Sequence, residues 1–359
     1  GLNPLADGRW DASAISAPGM GANGRHAVAI TQNKPRAILE WQSFNVGRNT
    51  DLTFNQAATD AVLNVVKGDT RPSQIQGSIQ AAGTVMVVNQ NGVVFSGTSQ
   101  VNVRNLVAAA ASITDEQFTA QGIYSPQSFG TYTPSFTDAL GAVRVEAGAR
   151  IATQIPDTVT QGGGYVLLLG SDASNAGNIA TPRGQALLAA GETFTIRRGV
   201  GTDANLYSTT RGNEVVAQPG ATSGTASNTG LIQSAEGDIT LTGRTVLQDG
   251  VAVSTTTVNN RGTIHLSTPA GDARGSVTLG SGSTTAILLD DSGGTALDSQ
   301  RDALILASAQ QDQARRKAVA DIFTNLSRQD DRRDLSRIEI VSGSTVQFAD
   351  GSMTLATGG

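Results

Sequence analysis

Cysteine is absent from the 359-residue chain, which excludes a disulfide framework, a zinc–thiolate site and a thiol nucleophile. Lysine is scarce: Lys34, Lys67 and Lys317 are the only three among 25 basic residues. The net charge of −5 is spread along the chain without a basic stripe. Nucleic acid is therefore not expected as a partner, because its binding needs clustered Lys and Arg against the phosphates. No apolar run approaches the roughly 18–20 residues of a membrane span. The sequence starts at Gly1 with no charged-then-apolar leader, so a leader has been removed or none existed. Aromatics make up 4% and charged residues 15%, leaving small aliphatic and β-branched side chains to fill a core.

The two histidines, His26 and His265, lack a second ligand at zinc-like spacing. Both lie in alternating segments, HAVAI and TIHLS, where a strand position explains them. Asp238, Asp249 and Asp272 fall at turns, where a carboxylate commonly bonds nearby backbone N–H groups. Catalysis by paired carboxylates across a cleft has no legible cluster here, and no enzyme is expected. The runs Gly162-Gly163-Gly164 and Gly280-Ser281-Gly282 lack the Lys and Ser/Thr of a phosphate loop and read as turns. No cofactor or metal is expected.

Glycine is what the chain has in excess, at 42 residues. From about Tyr165 onward, short alternating apolar runs are closed by Gly, Asn or Asp every ten to twelve residues or so, a turn density that indicates all-β structure. Gly177-Asn178-Ile179, Gly230-Leu231-Ile232 and Gly262-Thr263-Ile264 each follow an Asn-containing turn. A second set, Gly184–Ile196, Gly237–Leu247 and Gly275–Leu279, follows the first. Units this short cannot bury their own apolar face and are stable only when stacked. The expected fold is all-β: a right-handed parallel β-helix with an N-terminal cap, extra-helical excursions and one C-terminal helical insertion. A β-sandwich is the alternative, but its two-residue hairpin signals are sparse.

Two regions break the pattern. Residues 117–160, rich in Ser, Thr, Pro and Tyr, predict a protruding excursion. Its Tyr124, Phe129, Tyr132 and Phe136 would stack on sugars if exposed, making a glycan-binding module; loop packing is the other reading. Residues 298–337 carry a helical pattern, with Ala318, Val319, Ile322, Phe323 and Leu326 on one face, and predict an insertion over about 309–330. The chain divides into a main unit at 1–290 and continuing coils at 291–359.

The sharpest local signal is Val85–Gly97, VMVVNQNGVVFSG: strand, Asn-x-Asn-Gly turn, strand. Here the chain resembles the N-terminal secretion domain of two-partner secretion exoproteins, the filamentous haemagglutinin-like and high-molecular-weight adhesin-like family. Most members read Asn-Pro-Asn-Gly; this chain has Asn89-Gln90-Asn91-Gly92, losing the Pro. Trp41–Val46 with Phe54-Asn55-Gln56, Ile75–Ile79 and Asn105–Ala109 are also family-like, and the resemblance covers roughly residues 20–290. The Asn-Pro-Asn-Leu motif of some members is missing, which suggests the high-molecular-weight-adhesin subgroup.

Membership implies a cleaved leader, passage through the periplasm of a Gram-negative cell, and secretion to the cell surface. Its partner would be the periplasmic, polypeptide-transport-associated domains of a cognate outer-membrane β-barrel transporter, which read the chain in an extended or partly folded form. Asn89, Gln90, Asn91, Gly92, Asn45 and Asn105 are the candidate recognition residues. Host or bacterial surface ligands would be bound by a full-length protein continuing past Gly359. A β-helical polysaccharide-active enzyme is the competing function, and it would need clustered Asp with Arg or Lys on one face.

Overall fold

The computed structural model describes residues 1–157, 162–198, 212–220, 224–257, 261–290 and 336–357. The alternating runs form parallel strands that stack coil on coil. One complete coil is Asp172–Asn175, Asn178–Ala180 and Gln185–Ala190, and each of its strands pairs in parallel with the equivalent strand of the next coil. Every second residue points inward, so equivalent residues build columns. One column runs Leu52, Ile79, Val101, Ile151, Ile179, Ile232, Ala252. A second runs Val62, Val85, Leu106, Val166, Ala186, Ile239, Ile264. The expected parallel β-helix is the observed fold.

The register corrects one detail. Ile179 and Ile232 share a column, but Ile264 pairs with Ile239 in another, and Ala252 continues the first. The three Gly-x-Ile starts are therefore not equivalent, because one coil fills its position with Ala.

A third column turns polar at its centre. It runs Ile75, Phe95, Val145, Asn175, Asn228, Gln248, Leu279. The buried Asn175 amide donates to Asn228 Oδ1 at 2.8 Å, and Asn228 donates to Gln248 Oε1 at 2.9 Å. Gln248 ends the ladder on the carbonyls of Gly250 and Thr284. Each amide is satisfied by its neighbour in the next coil, so the ladder specifies register where an apolar column would only fill space.

An antiparallel cap closes the N-terminal end. Leu2–Pro4 pairs with Arg36–Phe44, and Gly19–Met20 pairs with His26–Thr31. Such cover blocks an edge that would otherwise recruit another strand. Trp10 and Trp41 meet edge to face at 4.9 Å, and Trp41 meets Phe44 at 5.0 Å. Buried Asp11 ties the cap together through Lys34 Nζ at 2.6 Å, Arg9 Nε at 2.8 Å and the Ile38 amide at 3.2 Å. Burial alone would raise the Asp11 pKa, but these donors outweigh it and hold the carboxyl below its usual range.

A second core lies outside the solenoid. The outward column Ile38, Leu63, Met86, Val107, Leu167, Leu187 is apolar and buried. This explains why Tyr165–Gly170 (YVLLLG) and Gln185–Ala190 (QALLAA) are continuously apolar: both faces are covered. The cover comes from the helix Asp115–Gln121, from Ile123 and Phe136, and from the hairpin Thr193–Arg197/Glu214–Gln218, while the small hairpin Gln127–Ser128/Thr131–Tyr132 projects from it, largely exposed. Phe118, Phe136 and Phe194 are the fully buried wedges. Past Leu187 the same column becomes Thr240, His265, Glu339, and the surface is polar.

Two boundaries differ from the sequence reading. The solenoid resumes at Ala142–Val145 and Arg150–Thr153, inside the segment expected to protrude as far as 160. Within Gly184–Ile196 only Gln185–Ala190 belongs to a coil; Thr193–Arg197 leaves it as an antiparallel hairpin strand. The helix expected over about 309–330 lies outside the described residues.

Candidate functional site

The Asn89–Gly92 turn joins the strands Ser78–Val88 and Val93–Phe95. Gly92 N–H donates to the Asn89 carbonyl at 2.9 Å, closing a β-turn with Gln90 and Asn91 at its centre. Gly92 has φ +125, and a Cβ there would lie 2.9 Å from the Ala142 carbonyl oxygen of the next coil, so both conformation and space require Gly.

Asn89 is 1% exposed. Its amide donates to the Arg71 carbonyl at 3.0 Å and to Ser73 Oγ at 3.1 Å, while its Oδ1 accepts the Asn91 backbone N–H at 3.0 Å. Asn91 Nδ2 donates to Asn89 Oδ1 and to the Asp69 carbonyl, both at 3.1 Å. The two asparagines thus staple the turn to the segment Asp69–Ser73, and Ser73 opens the strand that pairs with Val93. Gln90, standing where most of the family has Pro, sends its Nε2 to the Asp138 carbonyl at 3.3 Å and so links the turn to the excursion.

Asn45 and Asn105 do comparable work elsewhere. Asn45 Oδ1 accepts the Gln74 N–H at 2.7 Å. Asn105 accepts the Tyr165 N–H at 3.1 Å and donates to Thr84 Oγ1 at 2.9 Å, spanning three coils. Gly164 precedes this contact, where a Cβ would meet the Arg104 carbonyl oxygen at 1.6 Å. The six motif residues therefore do not converge on one pocket: the four asparagines fasten one coil to another, Gln90 ties the turn to the excursion, and Gly92 closes the turn itself.

The four aromatics of the excursion separate. Phe136 is fully buried in the second core and is unavailable to a ligand, which corrects its reading as an exposed sugar platform. Tyr124 and Tyr132 are half-buried, and Phe129 alone is fully exposed. Arg198 lies over the Tyr124 ring at 4.2 Å and Arg197 over the Tyr132 ring at 5.3 Å. Sequence reasoning missed both arginines, since they come from the other excursion, about 65–75 residues on.

The turn carboxylates also fall apart as a set. Asp238 is buried and accepts from Gln185, Thr240 and Thr263, with His265 Nε2 at 3.3 Å. His265 Nδ1 lies 2.9 Å from Glu339 Oε2. Asp272 instead pairs with Arg244 at 2.8 Å, and that hydrogen bond holds its carboxyl below the usual range. Asp249 packs at the coil corner against Gly280. Among the described residues, no group of three or more His, Asp or Glu is placed to hold a metal ion.

Comparison with known proteins agrees with this architecture. The crystal structure of the HMW1 secretion domain from Haemophilus influenzae superimposes with a TM-score of 0.57 at 18% identity, covering 98% of this chain and 84% of that one. A heme/hemopexin-binding protein of H. influenzae strain Rd is 29% identical over 216 residues, 60% of this chain and 21% of that protein. A second heme/hemopexin-binding protein of the species is 33% identical over 88 residues, 24% of this chain and 9% of its own length. The chain thus spans about a fifth or less of these relatives. The sequence profile of the TPS secretion domain matches residues 12–316, and with most of its length inside that match the chain belongs to the two-partner secretion domain family.

Proposed function

We propose that the chain is the export-signal and fold-nucleating part of a large secreted surface protein, read by the periplasmic transport-associated domains of its cognate outer-membrane transporter. The observation that carries this reading is the burial of Asn89: at 1% exposure, the motif side chain is accessible to a partner only before the coil closes. An extended chain presents Asn89 and Asn91, and closure withdraws them into the staple.

The solenoid then supplies direction. Each closed coil offers a strand edge to the next, so stacking outside the membrane opposes return. The capped N-terminal end gives the growing stack a fixed start. The cargo is a surface protein of adhesive or ligand-capturing kind, in line with relatives named for heme or hemopexin binding.

The test compares binding of the purified transporter's periplasmic domains to the folded chain and to the chain freshly diluted from urea. Capture of the unfolded chain at least tenfold better, weakened by Asn89→Ala, supports the reading. Equal capture of both forms contradicts it.

A further inference from the structure

The dipeptide Asn-Gly occurs at two places in the chain, Asn23-Gly24 and Asn91-Gly92, and the fold treats them differently. An unfolded chain is open to self-attack at this pair, because glycine has no Cβ to keep its backbone nitrogen away from the preceding carboxamide. The Gly nitrogen bonds to the Asn Cγ and gives up its proton, and the side-chain nitrogen leaves with that proton as ammonia. Water then opens the five-membered imide at either carbonyl, leaving aspartate or isoaspartate.

At Asn23-Gly24 both residues are exposed, and a Cβ on Gly24 would meet nothing within 4 Å. The turn has bonds of its own, from Asn23 Nδ2 to Asp51 Oδ2 at 2.8 Å and from the Gly24 N–H to the Gly21 carbonyl at 3.0 Å. No neighbouring segment packs on the glycine.

At Asn91-Gly92 every reacting group is committed and covered. The nucleophile, the Gly92 nitrogen, donates its hydrogen to the Asn89 carbonyl at 2.9 Å. The leaving group, Asn91 Nδ2, donates to the Asp69 carbonyl and to Asn89 Oδ1, both at 3.1 Å. The peptide between them lies under the next coil: a Cβ on Gly141 would come 2.5 Å from both the Gly92 nitrogen and the Asn91 carbonyl oxygen. An imide nitrogen carries no hydrogen, so ring closure breaks the bond that closes the turn. Swinging the carboxamide onto that nitrogen breaks both staple bonds as well.

We infer that Asn91 is a covalent modification site under conformational protection: the open chain loses ammonia there, the closed coil does not, and a chain that has reacted cannot make the staple. The products explain the last step. An aspartate carboxylate only accepts hydrogen bonds, and at residue 91 it would face two acceptors, Asn89 Oδ1 and the Asp69 carbonyl. An isoaspartate adds a methylene to the main chain of a turn that the next coil already presses on. Delay before closure is thereby recorded irreversibly in the motif. The inference needs coil closure alone and stands whether or not a transporter reads the turn.

The test holds the purified 359-residue chain at mildly alkaline pH, once folded in buffer and once unfolded in guanidinium, and follows Asn, Asp and isoAsp by peptide mapping with mass spectrometry. Asn23 is the internal clock. In guanidinium the two asparagines should convert at comparable rates, whereas in the folded chain Asn91 should convert at least about tenfold more slowly than Asn23. The guanidinium sample is then diluted, and limited proteolysis separates refolded from unfolded chains. Modified Asn91 should be enriched at least about fivefold in the protease-sensitive fraction, as for the loss of a buried hydrogen bond or more, while modified Asn23 divides evenly. Conversion of Asn91 in the folded chain at the Asn23 rate, no conversion of Asn91 in guanidinium, or an even division of modified Asn91 between the fractions would each overturn it.

Discussion

The carboxamide of Asn89 donates to the hydroxyl of Ser73 at 3.1 Å, joining the motif turn to the start of the strand one coil earlier. Asn89→Ala removes this bond and the bond to Arg71, and it leaves the Asn91 backbone N–H without its acceptor. The expected loss is about 2–4 kcal/mol of unfolding free energy, as for breaking several buried hydrogen bonds with partners left behind. Urea titration followed by circular dichroism measures it, and a change within about 0.5 kcal/mol would show the staple to be dispensable.

Gln90 occupies the first central position of the turn, where Pro is favoured because its φ is already set. Gln90→Pro gives up one weak contact, the 3.3 Å bond to Asp138. It also restricts the unfolded chain, so a gain of about 0.5–1 kcal/mol is expected. A destabilisation of similar size would mean that the tie to the excursion outweighs turn rigidity.

The N-terminal cap should loosen in acid before the rest. Asp11, Glu40 and Asp51 all have carboxyls held below their ordinary range. In each, burial acts upward but is outweighed: by Lys34 and Arg9 for Asp11, by Lys67 and the Arg9 amide for Glu40, and by Ser78, Asn23 and Arg25 for Asp51. A carboxyl with a depressed folded pKa contributes stability that is present above the unfolded value, about 4, and lost as pH falls through the folded value. The only tryptophans, Trp10 and Trp41, both lie in the cap. Their emission should shift red as pH drops below about 4, while strand dichroism persists. Simultaneous loss of both signals would deny the cap its separate response.

Phe129, at the hairpin tip, and Phe136, a few residues past that hairpin, should respond oppositely. Phe136→Ala removes a fully buried ring from the second core and should cost about 3–5 kcal/mol. Phe129→Ala at the exposed tip should be neutral or slightly stabilising, within about 1 kcal/mol, since Ala bears less steric strain at φ +47. Thermal melts of the two variants separate these roles.

The solenoid was legible because its turns must be: Gly, Asn and Asp recur where each coil changes direction. The Asn89–Gly92 turn was legible for the same reason. The amide ladder was written less openly, as the repeated Ser-Asn-x-Gly of Ser174–Gly177 and Ser227–Gly230. The short helix Asp115–Gln121 also had a readable signal, Thr114-Asp115-Glu116-Gln117, a capping-box pattern whose Thr114 Oγ1 accepts the Gln117 N–H at 3.1 Å.

Other features depend on contacts that no local pattern records. The segment Tyr124–Phe136 gives no indication which aromatic turns inward, because that is decided by the outer face of Met86, Val107 and Leu167 and by Phe194 from the second excursion. The arginines over Tyr124 and Tyr132 arrive from that same distant hairpin. Register also escaped, since Ala252 replaces the Ile that marks equivalent coils.

The most direct measurement is the amount of this chain released into the medium by Gram-negative cells carrying a Sec leader fusion, with and without the cognate transporter, for wild type, Asn89→Ala and Phe129→Ala. The account predicts transporter-dependent release, reduced at least about fivefold by Asn89→Ala through a loss near 1 kcal/mol or more at the export step, and unchanged in Phe129→Ala. Release that ignores the transporter, or that is equal in wild type and Asn89→Ala, would contradict it.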